Sequence, residues 1–253
     1  MSEITTADYI AEAKKALKDP ILQAALADLQ NRFGRGTALA YRNLPEGPDL
    51  RLKAHDIRAE TIENLDVVLE TLAENIRKNG GRVFFADDAA AALDYCLAVA
   101  RSHGVKLAVK GKSMVSEEIG LNTALIKAGI DVAETDLGEY IIQLAGERPS
   151  HIIAPAIHKT RDDIGKLFAD KIRIPFTDDP PSLTRAARKA LREKFLAAGM
   201  GFQAAISPAR RPATSSPYPM RATSACPLPC PRSMSPLWGW RGLQPGWKTT
   251  IFF

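Results

Sequence analysis

The segment 105–159, VKLAVKGKSMVSEEIGLNTALIKAGIDVAETDLGEYIIQLAGERPSHIIAPAIHK, constrains the fold more than any other part of the chain. Short apolar runs alternate in it with stretches of helical spacing. Residues 105–109 are strand-like and end at Lys110-Gly111-Lys112-Ser113. Ile119, Leu121, Leu125 and Ile126 recur at helical spacing within 115–128. Residues 130–133 form a second β-branched run, 140–144 are helical, and 151–154 are strand-like again. Strands that alternate with helices predict an α/β fold with a parallel sheet, whose ligands sit beyond the carboxyl ends of the strands. Lys110, Lys112, Ser113, Glu134, Asp136 and His158 all fall at or just past such ends, and they are the candidate ligand-binding residues.

The chain before this segment reads as helical. Residues 6–17 and 21–33 are amphipathic and separated by Asp19-Pro20, and 50–59 follow a Pro45-Glu46-Gly47-Pro48 turn. Ile62, Leu65, Leu69, Leu72 and Ile76 make 60–79 the clearest helix, stopped by Gly80-Gly81 and expected to pack on the sheet. Residues 82–86 (RVFFA) predict the first strand, and Asp87-Asp88 opens a helix over 89–102. Later come a helix over 160–171, a short strand over 172–176, and a helix over 183–198 with Ser182 as its N-cap after Pro180-Pro181.

The lysine loop lies between a strand and a helix, where free backbone N–H groups, the helix dipole and two ammonium groups favour a small carboxylate or other anion. Helix capping by Ser113 with solvated lysines is the alternative. The loop is no phosphate-binding P-loop, because that motif needs glycine at the position of Lys106. Glu117 and Glu118 are first-turn acids that suit the dipole without any function, a reading expected to hold for at least one of them. Asp136-x-x-Glu139 has capping-box spacing, with Glu139 reaching back to Asp136; Glu134 is less easily explained by capping. His151 and His158 cannot share one metal across a strand, and no metal site is expected; His158 is the better functional candidate. The basic face of 183–198 reads as solvated rather than as a nucleic-acid helix.

Composition changes abruptly near Ala205. Six of the 34 basic residues and none of the 29 acidic ones fall from there on, which leaves 28 basic against 29 acidic before it. The body is near neutral, so the basic pI of about 9.1 comes from the tail and does not indicate a nucleic-acid partner. Residues 205–253 also hold nine of the 17 prolines, all three tryptophans and two of the three cysteines. Proline at that density without periodicity excludes a helix or a central strand. The tail reads most simply as the product of a reading-frame shift and is expected to be disordered. Three regions are therefore expected: a helical extension over 1–59, a partial α/β domain over 60–204 and the tail over 205–253. No targeting signal or membrane span is evident, and a cytoplasmic location is expected.

KGKSMVSEEIGLN, ETDLGEYIIQLAGE and PSHIIAPAIHK closely resemble the lactate utilisation protein B family, whose members are iron-sulfur proteins sharing the LUD domain. The resemblance runs from about Ile62 to about Gly201, so the chain is expected to be a truncated member. It implies a fold like that of the sugar-phosphate isomerase and CoA-transferase superfamily. It also implies electron transfer in the oxidation of L-lactate to pyruvate, within a complex of several subunits. Two 4Fe–4S clusters are implied for the full-length family, in a region beyond the LUD domain. No cofactor is expected in this chain, since a cubane takes four thiolates and only Cys96, Cys226 and Cys230 are present. The alternatives are a CoA-transferase-like or small-anion-binding LUD protein without a redox role, and a non-catalytic scaffold for the complex.

Overall fold

Side-chain caps start most of the helices. In the computed structural model, which describes residues 5–78, 80–150 and 154–203, Thr5 and Asp8 bond reciprocally at the head of α1 (Thr6–Lys18). Asp19 accepts from the Ile21 and Leu22 N–H groups at the head of α2 (Pro20–Arg42), whose Pro20 has no N–H to leave unpaired. Next come α3 (Gly47–Glu63), α4 (Leu65–Lys78) and α5 (Ala89–Ser102), the last capped by Asp88. They are followed by β1 (Leu107–Lys110), α6 (Met114–Glu118), α7 (Leu121–Lys127), β2 (Asp131–Glu134) and α8 (Leu137–Ala145). The described part closes with α9 (Arg161–Lys171), α10 (Pro180–Ala197) and β3 (Met200–Phe202).

Two compact units can be separated. The described residues up to Asn64 with Ala156–Thr160 form the first; the rest, from Leu65 to Pro155 and from Arg161 onward, form the second. In the first, α1 packs on α2, yet neither helix buries a residue completely.

The second unit carries a three-stranded parallel sheet in the order β2-β1-β3. Successive strand residues point to opposite faces. Ala108 and Val132 meet Cys96 and Ala100 of α5 and Leu121 and Leu125 of α7 on one face. Val109 and Ala133 meet Phe195 and Ala198, at the end of α10, on the other. Each fully buried leucine of this core contributes roughly 1.5–3 kcal/mol. The architecture is the expected one, α/β with a partial parallel sheet.

Several local expectations are corrected. The helix over 60–79 is broken at Asn64 into α3 and α4. The helix over 21–33 continues to Arg42 through Gly34 and Gly36; each glycine costs only about 1 kcal/mol, and good helix formers follow. The helix over 115–128 divides into α6 and α7 at Gly120, whose φ of 72° is left-handed. Residues 82–86 are not a strand: Phe84 stacks on Tyr95, ring centroids 4.3 Å apart. Residues 172–176 are not one either, because Arg173 takes φ 55° and interrupts the extended chain. Asp179, rather than Ser182, caps α10, accepting from the Ser182 N–H. The strand β3 went unforeseen; at three residues it is too short for periodicity to register. The strand over 151–154, except Ala154, and the tail lie outside the described residues.

Candidate functional site

The register of β1 against β2 sets Lys110 directly opposite Glu134 at the last rung of the ladder. Opposed residues share a face, here the face of Ala108 and Val132, over which α7 lies. The Lys110 ammonium is fully buried. Its Nζ lies 3.1 Å from Glu134 Oε1 and 3.8 Å from Glu117 Oε1, at ion-pair range but without hydrogen-bond geometry to any partner. Glu134 Oε1 also accepts from Asn122 Nδ2 of α7 at 2.6 Å. Thr135 closes the strand end, its N–H and Oγ1 both donating to the Lys110 carbonyl at 2.9 Å.

The second lysine enters from the loop. Lys112, 29% exposed at its side chain, places Nζ 3.8 Å from Oε1 of the buried Glu139, in the first turn of α8. Glu139 is pushed up to about 8 by burial first, then by the charge of Glu134 and a side-chain hydrogen bond with it, and by Glu117; Lys110 opposes the rise. Lys110, Ser113, Ser116, Glu134, Thr135, Asp136 and Glu139 are the buried polar residues of the described chain, and all lie in this stretch of strand ends and helix starts.

The site is braced from the sheet edge. Beside β2, Gln143 of α8 donates from Nε2 to the Val132 carbonyl at 2.9 Å and accepts from the Glu134 N–H at 3.1 Å. One amide thus occupies both edge groups as a neighbouring strand would, which fixes the backbone that carries Glu134.

Of the residues anticipated from sequence, the second unit holds Lys110, Lys112, Ser113, Glu134 and Asp136, while His158 belongs to the segment grouped with the first unit. Lys110, Lys112 and Glu134 meet in the charged cluster. Ser113 and Asp136 act as caps: Ser113 Oγ accepts from the Ser116 N–H, and Asp136 from the N–H groups of Gly138 and Glu139. The helix behind the lysine loop, α6, is only five residues long, so the dipole expected to favour an anion is slight. Lys110 is out of solvent and Lys112 is partly exposed; both face carboxylates. Glu139 does not reach back to Asp136 as a capping box requires, but turns toward Glu134 and Lys112. Glu139, Glu117, Asn122 and Gln143 join the same cluster and were not among the candidates anticipated from sequence. The available signal was ETDLGE, where a strand-end glutamate and a first-turn glutamate flank one cap.

An iron-sulfur cluster does not fit the described residues. Cys96, their one cysteine, is enclosed by the core, and burial pushes its thiol up to about 12, away from the thiolate that iron requires. Among the described residues no group of three or more His, Cys, Asp or Glu is arranged to hold a metal ion, and no helix is long and apolar enough to cross a membrane.

Comparison with known proteins agrees with the sequence resemblance. The family model of the LUD domain matches residues 69–206. Lactate utilization protein B of Oceanobacillus iheyensis is 42% identical over 193 residues, 76% of this chain and 40% of that protein. The protein of the same name from Anoxybacillus flavithermus is 40% identical over 200 residues, 79% of this chain and 42% of that one. That of Bacillus cereus strain AH820 is 42% identical over 185 residues, 73% and 39%. The chain therefore spans about two fifths of the length of these relatives. No solved structure matches it.

Proposed function

The chain belongs to the LUD domain family, and from that premise we propose that it serves lactate utilization as the LUD part of an iron-sulfur subunit. In this reading the subunit passes electrons, with its partner subunits, as L-lactate is oxidised to pyruvate. The name shared by the relatives supports the pathway. The two 4Fe–4S clusters of such a subunit are assigned to parts of the longer relatives that this chain does not span. The cluster of charged residues at the strand ends is assigned the binding of a small carboxylate. One observation carries that assignment: Lys110 Nζ, fully buried at the end of the central strand, is ion-paired with Glu134 at 3.1 Å yet has no hydrogen-bond partner. Burying an ion costs several kcal/mol, and placement at a parallel strand end suits a ligand contact.

The test uses a bacterium that lacks its own lactate utilization protein B and carries a full-length homologue. Changing the residue equivalent to Lys112 to alanine leaves the buried Lys110–Glu134 pair intact. This variant is expected to be made normally, to support growth on pyruvate, and to fail on L-lactate. Undiminished growth on L-lactate would remove the carboxylate-site assignment. Failure of the unmodified homologue to restore that growth would remove the pathway reading itself.

A further inference from the structure

Two lysines and three glutamates meet at the strand ends: Lys110 on β1, Lys112 on the loop, Glu117 on α6, Glu134 on β2 and Glu139 on α8. The groups facing Glu139 are Glu134, Lys110, Lys112 and Glu117; α9, which also packs on α8, presents Phe168 to Tyr140. Glu117 is exposed to solvent, but Glu134 and Glu139 are both buried, and two ionised carboxylates side by side there repel each other. A single proton held by the buried pair removes that repulsion.

The oxygen atoms say where that proton resides. Glu134 Oε1 is occupied by Asn122 and faces Lys110, and Glu139 Oε1 faces Lys112. The remaining oxygens, Glu134 Oε2 and Glu139 Oε2, are buried and have no donor. Two ionised carboxylates only accept and cannot bond each other; a protonated one donates. A proton shared between them supplies the hydrogen bond that joins the two side chains and removes their repulsion.

We propose that Glu134 and Glu139 form a proton-sharing carboxyl pair, and that Glu139 is the proton donor of the strand-end site. The pair stands on the burial of both carboxyls, their two unpartnered oxygens and the contact between the side chains; the destination of its proton rests on the ligand reading above. The step balances simply. The Glu139 O–H bond breaks, the proton passes to an anionic oxygen held at Lys110, and the new Glu139 carboxylate keeps Lys112 as its counter-ion. Such a pair titrates as a unit, so the measured midpoint belongs to both groups.

Infrared difference spectroscopy on the 253-residue chain reads the proton directly. A protonated-carboxyl C=O band is expected at neutral pH, and it is lost on titration with a midpoint near 8. Glu139→Gln removes the band, Glu134→Gln moves its loss to lower pH, and Lys110→Met moves it to higher pH, since Lys110 opposes the rise. Circular dichroism confirms that each variant is folded, and the unmodified chain suffices if one is not. Absence of a carboxylic acid band in the folded chain at neutral pH would overturn the proposal, as would a band that survives in folded Glu139→Gln. Calorimetry with pyruvate as the probe separates the two readings. No pyruvate binding, with the acid band intact, sinks the ligand assignment and leaves the carboxyl pair standing.

Discussion

Lys110 and Lys112 look alike in the sequence and differ in what their loss removes. Lys110 is completely buried against Glu134, so Lys110→Met strands a buried carboxylate; breaking such a pair costs about 3–5 kcal/mol. Lys112 keeps 29% of its side chain exposed and faces Glu139 only at 3.8 Å, so Lys112→Ala is expected to cost no more than about 1 kcal/mol. Urea denaturation of the two variants measures the contrast, and equal losses would show that the burial of Lys110 carries no special weight. Glu139 adds a pH dependence. Its carboxyl is raised in the folded chain, so its stabilising contribution is complete below the ordinary glutamate value of 4.5 and is lost as pH rises to about 8. The unmodified chain is therefore expected to lose stability relative to Glu139→Gln across that window, and to hold a constant difference above it. A difference that is flat with pH, or that grows in favour of the unmodified chain, contradicts the assignment.

Elements hold these residues in place through a few specific contacts. Gln143 is the clearest, because one side chain closes the edge of β2 at both Val132 and Glu134. Gln143→Leu keeps the apolar bulk and leaves a partly buried N–H and C=O without partners, a loss of about 1–3 kcal/mol. Hydrogen exchange is the sharper measurement. The Glu134 amide is expected to exchange faster in the variant while the Leu125 amide in α7 is unaffected, and unchanged exchange at Glu134 would mean the edge is protected by something else. Periodicity located most helices, since 3.6-residue spacing depends only on neighbours along the chain. It could not see the break at Gly120, where one left-handed residue redirects the backbone and brings Asn122 toward Glu134. RVFFA misled for the converse reason. Its composition favours a strand, yet strand identity needs a partner, and Phe84 found Tyr95 instead.

At the scale of the whole molecule, the described residues combine a charged strand-end cluster with a single cysteine. Cys96 is its one described cysteine, sealed in the core between α5 and α7. Anaerobic reconstitution of the 253-residue chain with iron and sulfide is expected to give a colourless protein, because three cysteines fall short of the four thiolates of a cubane. Cys96 is also expected to resist thiol reagents until the chain is denatured, as a thiol raised to about 12 offers almost no thiolate at neutral pH. A stoichiometric brown chromophore would contradict the first expectation, and rapid labelling of Cys96 in the folded chain the second.

The alternation of strands and helices over 105–145, the caps at Asp19, Asp88 and Asp136, and the grouping of polar residues at strand ends were all determined by the sequence itself. Each depends on side chains acting on backbone within a few residues. Lys110, Lys112 and Glu134 were legible as candidates at the strand ends on the same grounds. What only the tertiary structure decided was which of the polar residues meet. Lys110 and Glu134 are 24 positions apart and became neighbours through the parallel register of β1 and β2. Glu139, whose spacing suits a cap, was turned into the cluster by the packing of α8 on β2. A glutamate near a helix start can cap locally or enter a buried charge cluster. Local spacing is the same in both cases, and only the burial and charges supplied by distant segments choose between them.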